Sequence, residues 1–153
     1  MIDQEIVVQN QAKTYTRSVD SKGRGYGTGR GKRDAVAKVW ASYSSAGNKI
    51  KINNKTADEY FSNPSLTYIL TKTLADILGD EVFVDVMIST HGGGKSGQAR
   101  AAKLGLARAL TVLNPALHES LRKGGYLTRD ARVAEPMKPG QPGARKKYPY
   151  NRR

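Results

Sequence analysis

The sequence predicts one α/β domain with a basic tail, on three observations. Residues 35–42, 49–52 and 82–88 alternate apolar and other side chains with a period of two, as strands buried on one face do. Residues 64–78 and 96–113 repeat apolar side chains at helical spacing. A chain of 153 residues can enclose one such core but not two. The organisation expected is an N-terminal extension over 1–24, a core over 25–128 and an extended basic tail over 129–153.

The extension is polar apart from Ile6, Val7 and Val8. Gly25-Tyr26-Gly27-Thr28-Gly29-Arg30-Gly31-Lys32-Arg33 reads as a flexible glycine linker before the first strand. A dinucleotide fingerprint would instead follow a strand and open a helix. Ala35, Ala37, Val39 and Ala41 alternate with Val36, Lys38, Trp40 and Ser42 as a strand. Gly47-Asn48 turns the chain into a second strand, Lys49-Ile50-Lys51-Ile52. Asn53-Asn54 tolerates positive φ and suits a tight turn. Thr56-Ala57-Asp58-Glu59 has the spacing of a capping box and opens a short helix through Phe61.

Pro64 starts a second helix, with Leu66, Ile69, Leu70, Leu74, Ile77 and Leu78 on one face and Gly79 as its stop. Val82, Val84, Val86 and Ile88 form the clearest strand. His91-Gly92-Gly93-Gly94-Lys95-Ser96-Gly97-Gln98 leads into a helix reaching about Leu113. Its buried arc is Ala99, Ala102, Leu106, Ala109, Leu110 and Leu113, with Arg100 and Lys103 opposite and Leu104 fitting neither side. Pro115, at a first-turn position, opens a short helix to Lys123 that Gly124-Gly125 ends.

Charge narrows the partner. The net charge is +13, with 26 Lys and Arg against 13 Asp and Glu. Residues 39–90 hold four basic groups and six acids, whereas 13–38 hold eight and two, 95–108 four and none, and 121–153 ten and two. A near-neutral core flanked by basic stretches suits a phosphate backbone. No apolar run spans a membrane and the tail has no apolar face. There is no Cys and there are two His, so no thiolate site and no local metal-ligand spacing exist. No cofactor and no metal are expected. The N-terminus has neither a signal peptide's apolar stretch nor a good transit-peptide pattern.

Three motifs carry the expected chemistry. At the first, Gly94-Lys95-Ser96 has the look of a P-loop, but Ser89 stands where that motif's first glycine belongs and no later strand supplies the magnesium aspartate. What remains is a glycine-rich loop at a helix N-terminus, where Gly93, Gly94, Lys95, Ser96, Gln98 and Arg100 would bind an RNA phosphate. In the second, Gly125 to Arg132, Arg129 and Arg132 would clamp phosphates with Asp130 orienting one of them. The third is the tail. Lys138, Arg145, Lys146, Lys147, Arg152 and Arg153 take phosphates, and Tyr148 and Tyr150 stack on bases or riboses. Pro139, Pro142 and Pro149 favour an extended chain. No residue is expected to be catalytic.

These motifs resemble the bacterial-type small-subunit ribosomal protein nine family. The similarity lies in Gly27 to Val39, Asp58-Glu59-Tyr60-Phe61, Gly92 to Gln98, Leu106-Ala107-Arg108-Ala109-Leu110, Gly125 to Val133 and Ala144-Arg145-Lys146-Lys147. It covers roughly residues 22–153. The resemblance implies an α+β core, a small mixed sheet with helices on one face. It also implies the left-handed βαβ crossover shared with the second domain of small-subunit ribosomal protein five. It implies a non-enzymatic constituent of the small-subunit head that binds rRNA beside neighbouring head proteins. Arg30, Lys32, Arg33, Lys38, Lys103 and Arg108 join the rRNA-binding set. Arg152 and Arg153, at the tail's tip, would reach the anticodon stem-loop of P-site tRNA. The ribosome would be that of a bacterial cytoplasm or of an organelle such as the mitochondrion. The chain departs from the family pattern in four places. Gly31 stands for a usual basic residue and Asn54 for a usual turn glycine. The Leu66–Leu78 stretch stays apolar where the family turns to extended chain, and residues 136–143 dilute the basic tail. The competing readings are the protein subunit of an RNA-processing enzyme such as ribonuclease P, and, more remotely, a P-loop phosphotransferase.

Overall fold

The computed structural model describes residues 19–32, 34–45, 47–79 and 82–150. Its elements run β1 (Gly25–Arg30), β2 (Val36–Ser44), β3 (Ile50–Ile52), β4 (Lys55–Thr56), α1 (Ala57–Phe61), α2 (Pro64–Leu78), β5 (Phe83–His91), α3 (Lys95–Leu113) and α4 (Leu117–Lys123). The strands form one mixed sheet in the order β1-β2-β5-β3-β4. Only β3 and β5 pair in parallel, and the chain between them, β4-α1-α2, makes the crossover a parallel pair demands. The core lies on one side of the sheet. Ala37, Val39 and Ala41 of β2 and Val84, Val86 and Ile88 of β5 are buried there against Leu70, Leu74, Leu106 and Leu110 of the helices. The α+β architecture expected from the sequence is the one observed.

The glycine stretch is not a linker but the edge strand β1. Gly25, Gly27, Gly29 and Gly31 all turn toward α3 and are buried. Their partners are Ala109, Gly105, Ala101 and Gly97, one helical turn apart, so strand and helix backbones touch directly. A Cβ on Gly29 would lie 2.6 Å from the amide nitrogen of Gly105, and one on Gly27 2.5 Å from that of Ala109. A strand residue of period two thus meets a helix residue of period four, and any side chain would force them apart. Gly31 replaces a basic residue of the family pattern because it continues this row.

Other local expectations resolve case by case. Asn53 and Asn54 adopt φ of 47° and 68°, the paired left-handed conformation of a two-residue hairpin turn. That turn creates β4, which the alternation pattern was too short to reveal. Thr56 does precede α1, yet its side chain makes no cap hydrogen bond. Glu59 instead pairs with Lys55 at 3.5 Å, so the capping box is not formed. Asn63 caps α2 by accepting a hydrogen bond from the Ser65 amide at 3.0 Å, and Gly79 ends the helix at φ 68°. α2 is one continuous helix through Leu78. Pro115 lies in the turn ahead of α4, which begins at Leu117, because Asn114 accepts from the Ala116 amide and sets that turn first.

α3 is buried on more than one arc. Gly105 and Ala101 meet β1, while Leu104 is buried and shares a cleft with Ile69 of α2 and Tyr126. The helix packs on β1 and β2 with one arc and against α2 and α4 with another, which is why Leu104 fits no two-faced pattern. The tail has no helix or strand among its described residues but is not fully extended. Gln141 donates to the Lys138 carbonyl at 3.3 Å across Pro139-Gly140, with Gly140 at φ 73°. Glu135 then pairs with Arg145 at 2.9 Å. The prolines fold this stretch back on itself because glycine follows Pro139 in the position that takes positive φ.

Candidate nucleic-acid interface

The β1–α3 packing has a direct electrostatic consequence. By laying the end of β1 on the first turns of α3, it brings Arg30 and Lys32 beside Arg100 and Lys103. These four cations line one cleft of about 300 Å³, with Leu104, Tyr126 and Thr128 among its walls. Among the described residues none of the four is in an ion pair. Lys103 holds its Nζ 4.5 Å over the Tyr126 ring. Tyr126 in turn donates to Asp76 at 2.7 Å, and that hydrogen bond raises its pKa. Four like charges converging on an open cleft attract a polyanion and gain most when a phosphate enters.

Among the described residues that line this cleft Asp130 is the one acid, and Arg132 neutralises it. The Arg132 guanidinium donates from Nε to Oδ1 at 2.9 Å and from Nη2 to Oδ2 at 2.7 Å, while the Arg132 amide adds a third bond at 3.1 Å. These bonds hold the Asp130 carboxyl well below the usual carboxylate range, and the charge of Lys32 adds to the effect. A lowered carboxyl pKa keeps the pair intact above the ordinary titration range and loses it only as pH falls through the lowered value. Carbon-detected NMR should therefore show Asp130 still ionised at about pH 3, below the ordinary aspartate midpoint near 3.9. An ordinary midpoint would mean that Arg132 is not held there.

The helix N-terminus differs from the simple phosphate loop the sequence suggests. Gly92 and Gly93 have φ of 71° and 60°, and a Cβ on Gly93 would sit 2.9 Å from that of Ala35. These two glycines serve the chain reversal and its packing, whereas Gly94 faces open space. Gln98 is buried, donates to the Gly92 carbonyl at 3.0 Å and accepts from the Tyr60 hydroxyl at 2.7 Å. Its amide is thus committed within the fold. Lys95 and Ser96 are exposed, but the Lys95 ammonium donates to the Tyr60 carbonyl at 3.0 Å and lies 3.4 Å from the Tyr60 ring centroid. Arg108 is also turned inward, donating to the Thr28 carbonyl at 2.7 Å.

The remaining predicted residues scatter. Arg129, Lys146 and Lys147 are exposed. Lys138 and Arg145 share Glu135, at 3.7 Å and 2.9 Å. Lys38 lies on the sheet face opposite the helices, away from the cleft. Arg33, Arg152 and Arg153 lie outside the described residues. Sequence reading missed Tyr126 and Thr128 as cleft walls. Only the meeting of α3 with the chain after α4 brings them into one wall.

The family model described as ribosomal protein S9/S16 matches residues 29–153. The chain belongs to the ribosomal protein S9/S16 family. As a member it is a small-subunit ribosomal protein that binds rRNA on the ribosome among neighbouring ribosomal proteins. The matched span includes the whole cleft and tail, so the cationic features described above belong to the S9/S16 portion of the chain. Among the described residues no helix is long and apolar enough to cross a membrane, and no cluster of His, Asp and Glu could hold a metal ion.

Proposed function

We propose that this chain is a non-catalytic constituent of the small-subunit head that grips rRNA phosphates in the Arg30–Lys32–Arg100–Lys103 cleft. The observation that carries the reading is the convergence of four cations that are unpaired among the described residues, where the one described carboxylate in the lining is already neutralised. Ser96 and Arg129 extend the contact, Lys95 joins it by exchanging the Tyr60 carbonyl for a phosphate, and the tail adds Lys146 and Lys147. The Glu135–Arg145 pair is exposed and worth little in water. rRNA phosphates can displace Glu135 and free Arg145 and Lys138 for themselves.

The tail would carry Arg152 and Arg153 to the anticodon stem-loop of P-site tRNA. From Pro136 the chain reaches about 60 Å when extended at roughly 3.3 Å per residue, so opening the Pro139-Gly140 turn lengthens its reach. Deleting residues 151–153 is expected to leave subunit assembly intact and to weaken P-site tRNA binding by about 1–3 kcal/mol, of the order of one charge-assisted contact. Filter binding of tRNA to programmed subunits measures this. Unchanged affinity would confine the tail to rRNA.

A further inference from the structure

The face of the sheet turned away from the helices has no cover among the described residues and carries a row of side chains across four strands. Tyr26 of β1 pairs with Trp40 of β2, Trp40 with Met87 of β5, and Met87 with Lys51 of β3. The Tyr26 and Trp40 rings are 5.5 Å apart at 44°. On the side of Trp40 away from β1 a cavity of about 270 Å³ opens, bounded by Met87, Ser89 and Asn54. Met87, an apolar side chain, is 52% exposed among the described residues. Lys38, one residue pair along the sheet from Trp40 and opposite Ser89, is exposed, as is Lys51.

We infer that this face is a second RNA site, in which an unpaired nucleobase stacks at Trp40 and Met87 while Lys38 and Lys51 hold the flanking phosphates. The inference rests on the rRNA-binding reading above but uses a different face and a different form of RNA. An indole and a thioether beside an open cavity suit a base, whose π-face stacks without regard to sequence. Asn54 and Ser89 place hydrogen-bonding groups at the cavity edge, where the rim of a base would lie. Lys38 and Lys51 outnumber Asp85, which stands two residues from Met87 on the same face, and this balance favours a polyanion over the apolar centre of a protein partner. A duplex cannot use the site, because its bases are already stacked.

Trp40 is the only tryptophan in the chain, so its emission reports on this cavity alone. Full-length protein titrated with short unstructured polyadenylate should lose Trp40 emission, and a duplex of the same length should bind without that loss. Met87→Glu should weaken polyadenylate binding about 5- to 100-fold, as expected for one lost stacking contact beside a new carboxylate, with duplex affinity retained. Unchanged Trp40 emission with polyadenylate overturns the inference, and so does an equal loss of both affinities in Met87→Glu. Emission that changes only on adding head proteins would assign the face to a protein and likewise overturn it. Intact duplex binding in any of these cases leaves the cleft reading standing, whereas loss of duplex binding in the wild-type chain would remove that reading instead. Should Met87→Glu fail to fold, Lys38→Glu with Lys51→Glu gives the same contrast from residues that are exposed.

Discussion

Replacing Lys32 and Arg100 together by glutamate is expected to lower affinity for small-subunit head rRNA by about 10²- to 10⁴-fold. Each charge-assisted hydrogen bond to a phosphate contributes about 1.5–3 kcal/mol, and two are lost. The plot of log affinity against log salt should also flatten by roughly 1.5–2 units, because each phosphate contact releases close to one counterion. Both residues are exposed, so the fold should tolerate the change. The control is Lys72→Glu with Lys123→Glu, which alters net charge equally. Lys72 lies on the exposed side of α2 and Lys123 is paired with Glu119 on the surface of α4. If that control costs as much, the chain binds RNA through its overall charge and the cleft has no special part. Nitrocellulose filter binding over a salt series separates the two outcomes.

How much of this was legible in the sequence depended on the range of the interaction. Periodicity found β2, β3, β5, α2 and α3, since alternation and helical spacing record which side of an element meets the core. β1 escaped because its message is written in absent side chains. Four glycines at alternate positions look like a flexible segment until Gly97, Ala101, Gly105 and Ala109 are seen to pass beneath them. Leu104 was unplaced for a related reason, as no single-element pattern shows that α3 is covered on two sides. The glycine-lysine-serine loop drew attention as a phosphate site from its composition. The structure instead shows Gln98 and Lys95 bonded to Gly92 and Tyr60, contacts that join residues up to 38 apart in the chain. The cleft itself combines Arg30 and Lys32 with residues some seventy positions later. Charge counting located the basic segments but could not show that two of them meet, or that Lys38 points the other way.

Gly29→Ala is expected to destabilise the protein by about 3 kcal/mol, the upper end of overpacking costs. The new methyl group would meet the backbone of Ala101 and Gly105, and the latter amide is 2.6 Å from its position. Backbone in a buried helix cannot swing aside as a surface side chain can, so β1 must lift from α3 or the helix must shift. Gly29 needs no left-handed conformation, so the cost is steric alone. Thermal denaturation should show a fall of roughly 10 °C for a domain of this size. Gly94→Ala is the matched control. A Cβ there meets nothing within 4 Å, and the change should stay within about 0.5 kcal/mol of wild type. The two variants differ by position and not by chemistry, which isolates the strand–helix contact. Function should follow the packing. Lifting β1 carries Arg30 and Lys32 away from Arg100 and Lys103, so Gly29→Ala should lose rRNA affinity and salt dependence even at a temperature where it remains folded. A Gly29→Ala protein that melts with Gly94→Ala would mean that β1 does not rest on α3, and the four cations would then have no common cleft.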